Sequence, residues 1–136
     1  MDNLSIYQFL GFKIVRVDLN RETEGKVEKF SIQLADTYYN DKENIYTILI
    51  NVKIVFEGCN ETKFTFVSGY QIIDKKWFVE TEKNVVDSLF ISVVFPFIRE
   101  KINNICDDSR GAFIIPIIDF RNINVNNEIV FSLINK

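Results

Sequence analysis

A chain of 136 residues is long enough for one domain with a hydrophobic core, and 47% hydrophobic with 26% charged residues exclude an intrinsically disordered protein. The net charge of −3 excludes a strongly basic surface for nucleic acid, and the scattered basic residues form no cluster for an anionic membrane. The absence of histidine removes Ser-His-Asp and Cys-His catalysis and the usual zinc ligands, so we predict a protein that is not an enzyme and needs no cofactor.

The sequence also predicts where the protein works. The start, "MDNLSIYQFLGFK", has an acidic second residue and no small-residue cleavage site, so we expect no signal peptide. The most apolar window, residues 85–98, is shorter than the ~20 residues of a spanning helix, and we expect no insertion into a membrane. Two cysteines, Cys59 and Cys106, suit a reducing compartment. We therefore expect one cytoplasmic domain over residues 1–136.

Alternating hydrophobicity predicts four strands in the first half of the chain. They are "FKIVRVDL" (12–19), "EKFSIQLAD" (28–36), "NIYTILINVKIVFEG" (44–58) and "TKFTFVSGYQII" (62–73). The third is the strongest, with every second residue from Tyr46 to Phe56 apolar. Gly58, Cys59 and Asn60 predict a hairpin loop before the fourth. Four strands in succession with short connections predict an antiparallel meander.

Residues 82–106 carry a helical pattern, with apolar residues at three- and four-residue steps. Pro96 lacks the N–H that would bond the Ser92 carbonyl, so we predict a kink or break there. Before Pro96 the apolar residues spread almost all round the helix, and one sheet can cover only one side. We expect the other side to be covered by another element or another subunit.

The tail adds a second apolar segment, "GAFIIPIIDF" (111–120). Pro116 disfavours a regular inner strand, because proline cannot donate to a ladder, so we expect an extended segment over the helix. The last ten residues, "NEIVFSLINK", predict a short amphipathic helix or an edge strand.

Two motifs resemble the SecB family of bacterial export chaperones. "LFISVVFPFIREKI" looks like the family's Phe-Pro-aromatic-x-Arg-Glu helix. The matching residues are Phe95, Pro96, Phe97, Arg99 and Glu100. "SRGAFIIPIIDF" is similar to the family's Arg-Gly segment with an aromatic residue, a proline and a final Asp/Asn-Phe. The strand "IYTILINVKIVFEG" also looks like the family's long central strand, and the resemblance covers residues 12–120.

The resemblance implies an α+β fold, in which helices pack on one face of a four-stranded antiparallel sheet. It also implies a homo-oligomer, a homotetramer built as a dimer of dimers, that holds unfolded preproteins for export without ATP. Divergent members of the family serve one client, such as the antitoxin of a toxin–antitoxin pair, and this alternative stays open.

In the family, an acidic sheet face docks the SecA translocase motor. Asp18 and Glu22 in "RVDLNRE" match two of its carboxylates. Thr65 and Ser68 stand where further acidic residues are expected, and "RNINVNNEIVFSLINK" is shorter and less polar than the family's final helix. These departures weaken the expectation that the motor is a partner.

Binding unfolded polypeptide (holdase activity) requires a long apolar groove and no catalytic group, because clients share only apolar and extended character. The candidate groove residues come from the fourth strand, the crossover after it, and the two apolar segments. They are Tyr70, Ile72, Trp77, Phe78, Phe90, Phe113 and Ile115. For any one phenylalanine, a place in the core or in a subunit interface is favoured over the groove, because phenylalanine is a commonly buried type.

A different class of function remains open from sequence. A helix on a curved antiparallel sheet can enclose a small apolar ligand, as in cystatin-like and NTF2-like α+β folds. The shape of the cavity separates the two hypotheses: an enclosed pocket favours a ligand binder, and an open surface groove favours a chaperone.

Overall fold

The computed structural model describes residues 5–18, 27–56, 61–106, 118–120 and 123–132. The described elements are five strands and two helices. In chain order they are β1 (Tyr7–Asp18), β2 (Val27–Asn40), β3 (Ile45–Phe56), β4 (Glu61–Ile72), α1 (Lys75–Glu80), α2 (Lys83–Cys106) and β5 (Ile129–Ser132). Neither described helix is long and apolar enough to cross a bilayer.

The strands form one antiparallel sheet in the order β1-β4-β3-β2-β5. The predicted α+β class and antiparallel sheet are confirmed, with the tail adding a fifth strand at the edge of β2. The predicted meander holds for β2, β3 and β4 but is wrong for β1, which pairs with β4. Strand β5 pairs with the edge of β2 that does not face β3. The pairing of β1 with β4 places the rings of Tyr7 and Phe9 beside that of Tyr70.

Strand β1 begins at Tyr7, five residues before the predicted start. Its alternation is weak in sequence because the register shifts twice, between Phe9 and Gly11 and between Ile14 and Arg16. Gly11 has φ +119°, a backbone conformation that side chains with a Cβ rarely adopt. The bulges conceal a strand whose inward residues are Tyr7, Phe9 and Phe12.

The core lies between the sheet and α2. Every second residue of β3 from Tyr46 to Ile54 is buried, as the alternation predicts, and the same holds along β4 from Phe64 to Ile72. Helix α2 covers this face with buried residues at three- and four-residue steps. They are Val86, Phe90, Ile91, Val94, Phe95, Ile98 and Ile102. Helices therefore pack on one face of the sheet, as expected.

Helix α2 has the predicted extent and runs through Pro96 without a break. Phe95 and Ile98 are buried on either side of the proline, so core packing holds the helix on both sides of it. The proline itself is exposed, where the missing hydrogen bond is least costly. Of the predicted kink or break, the break is wrong, because tertiary packing outweighs the local preference.

The described tail runs from α2 to the outer edge of β2. Phe120 is buried with its ring centroid 5.2 Å from that of Phe95. The Val125 carbonyl accepts a hydrogen bond from the Leu34 amide at 2.9 Å, and β5 then pairs with β2. Of the two structures predicted for the last ten residues, the edge strand is present. The expected extended segment at residues 111–117 lies outside the described residues.

Candidate functional site

An open groove of about 970 Å³ runs along α2 between the short helix α1 and the tail. Its floor is α2, one end is closed by α1, and one wall is the tail. The lining residues are Ile6, Trp77, Glu82, Asn84, Val85, Ser88, Leu89, Ser92, Ile118, Asp119 and Phe120. The groove is open to solvent.

Helix α1 places Trp77 at this groove. The Asp74 carboxylate caps the helix by accepting a hydrogen bond from the Trp77 amide at 2.9 Å. The Thr81 hydroxyl closes the helix on the Trp77 carbonyl at 2.6 Å. Trp77 is half-buried, with its ring centroid 6.3 Å from that of Phe90. A sequence of six helical residues is too short to show periodicity, which is why α1 was not predicted.

The groove floor carries one polar and one apolar row. Asn84, Ser88 and Ser92 follow each other at four-residue steps, so they lie in line on one side of α2. Val85 and Leu89 form a parallel row beside them, and Val85 is 52% exposed. The floor therefore offers apolar contact and hydrogen-bonding groups side by side.

The polar row holds the tail through one carbonyl group. The Ile123 carbonyl accepts hydrogen bonds from the Ser88 hydroxyl at 3.1 Å and from Asn84 Nδ2 at 3.4 Å. The Ser92 hydroxyl donates instead to the Ser88 carbonyl at 2.8 Å within the helix. The wall formed by the tail is thus anchored to the floor of the groove.

Beneath the floor, aromatic rings join α2 to the sheet. Tyr70 stacks on Phe90, and Tyr7 packs edge-on against Phe90 with centroids 5.0 Å apart. The Tyr70 hydroxyl donates to the Phe90 carbonyl at 2.6 Å. Burial raises the pKa of the Tyr70 phenol, so it stays protonated as the donor of this bond.

A buried carboxylate fixes the first turns of α2. Asp87 is fully buried, and its Oδ1 accepts a hydrogen bond from the Tyr46 hydroxyl. Its Oδ2 pairs with Lys83 Nζ at 2.7 Å, one helical turn earlier. Burial raises the pKa of Tyr46, and the hydrogen bond to Asp87 raises it further. This network connects the groove floor to β3.

The predicted groove residues fall at different depths. Trp77 lines the groove, whereas Tyr70, Ile72 and Phe90 are buried in the layer below it. Phe78 is half-buried and packs against Tyr39, with centroids 4.7 Å apart. The sequence interpretation missed Ile6, Val85 and Leu89; the three-to-four-residue spacing in α2 was the available signal for the last two.

Three other predicted site residues lie outside the described residues. They are the groove candidates Phe113 and Ile115 and the predicted motor contact Glu22.

The sheet face opposite α2 is of mixed charge. Asp18, predicted to contact the motor, stands opposite Lys63 in the β1–β4 register. Lys53 lies 3.6 Å from Glu128 and 3.9 Å from Glu61, and all three side chains are partly exposed. The described part of this face is therefore not a uniformly acidic surface. Among the described residues, no three acidic or thiol side chains group as metal ligands would.

Comparison with known proteins connects this architecture to a SecB-like fold. No family model matches the sequence, and no curated protein matches it either. The structure is similar to that of Rv1957 of Mycobacterium tuberculosis, a SecB-like chaperone solved in complex with a ChAD peptide from the Rv1956 HigA1 antitoxin. The TM-score is 0.55 at 11% sequence identity, over 73% of this chain and 79% of that one. The chain therefore has a SecB-like fold.

Proposed function

We propose that this protein is a chaperone that binds non-native polypeptide in the groove along α2 and holds it without nucleotide hydrolysis. The observation that carries the proposal is the open groove, with Trp77, Val85 and Leu89 accessible on a SecB-like fold. The function is argued from this site, because one fold can serve unrelated functions. We place the activity in the cytoplasm, on preproteins kept competent for export or folding.

The two rows of the groove floor suit an extended client. Successive side chains of an extended segment point to opposite sides, so one set can contact Val85 and Leu89. The backbone between them then lies near the polar row of Asn84, Ser88 and Ser92. Recognition of this kind depends on apolar character and backbone rather than on one sequence, which a general chaperone requires.

The small-ligand alternative fits the groove less well. A small apolar molecule is best held in an enclosed cavity that removes most of its surface from water. Here the cavity opens to solvent and its floor is polar along one side. If a fatty acid displaces unfolded client from the groove in a competition titration, that result would support this alternative.

A second form of the proposal is a chaperone dedicated to one antitoxin. Two observations favour it: Rv1957 was solved with an antitoxin peptide, and the sheet face expected to dock a translocase motor carries mixed charge here. Genes for a toxin and an antitoxin beside the gene for this chain would support the dedicated form. Their absence would favour general export.

We also propose that the chain assembles as a homo-oligomer, with a dimer of dimers as the largest form. Strand β1 is at the edge of the sheet and leaves one side for another strand. Beside it, Phe97 is 45% exposed although its ring stacks on Phe9 with centroids 5.5 Å apart. A second copy against this edge would cover the exposed ring.

The central experiment compares unfolded and folded forms of one client. Reduced, carboxymethylated α-lactalbumin stays unfolded, and calorimetric titration should show that it binds while native α-lactalbumin does not. Trp77 is the only tryptophan, so its emission should shift to shorter wavelength when a tryptophan-free apolar peptide fills the groove. Failure to bind the unfolded form would reject the proposed function.

A further inference from the structure

Asn84 lies in the groove with one half of its carboxamide hydrogen-bonded and the other half unpaired among the described residues. Its Nδ2 donates to the Ile123 carbonyl of the tail. Its Oδ1 is buried and has no hydrogen-bond partner among the residues that the structure describes. A buried acceptor without a donor is destabilising, and native proteins keep few of them. An acceptor in this state beside a groove points to a donor that arrives with the ligand.

We propose that Asn84 recognises the backbone of the bound polypeptide, with Oδ1 accepting one peptide N–H of an extended client. The inference rests on the proposed function and names the group that contacts the client backbone. A carboxamide carries a donor and an acceptor on one planar group, as a peptide unit does. Asn84 can therefore bind the tail on one side and the client on the other, as a strand between two strands would.

The tail determines which end of the carboxamide is left for the client. The Ile123 carbonyl is held by Ser88 as well as by Asn84. Turning the carboxamide end for end would set Oδ1 against this carbonyl, with two acceptors face to face. The carboxamide therefore keeps Nδ2 on the Ile123 carbonyl and leaves Oδ1 as its unused end. Oδ1 itself is buried while Asn84 as a whole is partly exposed, so the proposed contact requires the side chain to turn towards an incoming backbone.

This contact defines the class of client segment. Every residue except proline supplies a backbone N–H, so the contact tolerates any other side chain at that position. A proline in the register of Asn84 removes the donor and leaves Oδ1 unpaired. Asn84 thus selects extended segments with a free N–H at one position and excludes proline there.

Asn84→Leu tests the inference, with Asn103→Leu as its matched control. Asn103 is on the same helix and also has a buried Oδ1 without a partner among the described residues, but it lines a separate opening with Pro96 and Arg99. The probe is a fluorescein-labelled peptide of alternating phenylalanine and threonine, followed by anisotropy. Loss of one hydrogen bond should weaken binding by Asn84→Leu about five- to tenfold. Asn103→Leu should bind as the wild type does.

Two further readouts separate recognition from a structural role. The urea midpoint of Asn84→Leu should stay close to that of the wild type, because Ser88 still holds the Ile123 carbonyl and the unpaired acceptor is gone; a structural role would lower it. A series of peptides carries one N-methyl group each, at successive positions. The wild type should bind one member of this series more weakly than the unmethylated peptide, whereas Asn84→Leu should bind that member and the unmethylated peptide equally well. If both proteins respond equally, or Asn84→Leu binds as tightly as the wild type, the inference is overturned while client binding stands. If the wild type binds neither this peptide nor unfolded α-lactalbumin, the proposed function fails, and the inference fails with it.

Discussion

The Tyr46 hydroxyl lies 2.6 Å from Asp87 Oδ1, although the two residues are 41 positions apart in the chain. The bond joins the centre of the sheet to the first turns of α2. Asp87 is fully buried, and Lys83 pairs with its other oxygen. Because Asn84 and Ser88 flank Asp87 in sequence, the same bond sets the position of the groove floor.

Removing the carboxylate should be costly. Asp87→Ala leaves the buried Tyr46 hydroxyl without its partner, and we expect the free energy of unfolding to fall by about 1 to 3 kcal/mol. Urea denaturation followed by circular dichroism measures the loss. Glu100→Ala, on the exposed side of the same helix, should change stability by less than about 0.5 kcal/mol. Equal losses in the two variants would contradict a structural role for the buried bond.

The two buried tyrosines make stability depend on alkaline pH. Tyr46 and Tyr70 have pKa values raised above the ordinary 10.0, so the folded chain keeps protons that the unfolded chain releases. Stability should therefore be retained below pH 10 and fall as pH rises towards the raised pKa values. The slope approaches about 1.4 kcal/mol per pH unit for each tyrosine once the pH exceeds the ordinary pKa of 10.0.

Urea denaturation between about pH 9 and about pH 11 measures this slope. Tyr46→Phe should lower the slope, and combining it with Tyr70→Phe should lower it further. Tyr38→Phe is the control, because Tyr38 is 66% exposed, unlike the two buried tyrosines. An unchanged slope in the double variant would show that other groups govern alkaline unfolding.

Trp77 should dominate client binding at one end of the groove. We expect Trp77→Ala to weaken capture of unfolded α-lactalbumin by more than about tenfold, since a large, half-buried aromatic ring contributes strongly to an interface. Val79→Ala is the control on the same short helix, because Val79 is 71% exposed and is not among the groove residues. Calorimetric titration compares the two, and similar affinities would show that clients bind elsewhere.

Phe97 should control assembly. Phe97→Asp replaces the exposed ring beside β1 with a charge, which is costly to bury under a second copy. The variant should therefore have a lower molar mass than the wild type when measured by size exclusion with light scattering. Val130→Asp introduces the same charge at β5, the opposite edge of the sheet, and should leave the mass unchanged. A wild-type chain that runs as a monomer at micromolar concentration would exclude the proposed oligomer.

Local periodicity made much of the fold predictable. The inward residues of β3 and β4 repeat every two positions, and those of α2 every three to four, so the element type follows from sequence alone. The edge strand β5 was one of two structures predicted for the tail. Strand β1 was only partly predicted, since its two bulges interrupt the alternation.

The depth of each aromatic residue was not predictable in the same way. Tyr70, Phe90 and Trp77 all appeared as groove candidates, yet the first two form the layer beneath the floor and only Trp77 reaches the groove. Periodicity identifies the side of an element that faces inward, but depth depends on which elements pack there. The groove residues from the tail depend likewise on contacts distant in sequence.

The sequence by itself determined the α+β class, the inward faces of three strands and the extent of α2, because these follow from repeats of two and of three to four residues. Only the tertiary structure decided that β1 pairs with β4, that the tail walls a groove on α2, and that Asp87 is buried against Tyr46. These features join residues distant along the chain, and no local pattern encodes which distant partner a side chain meets.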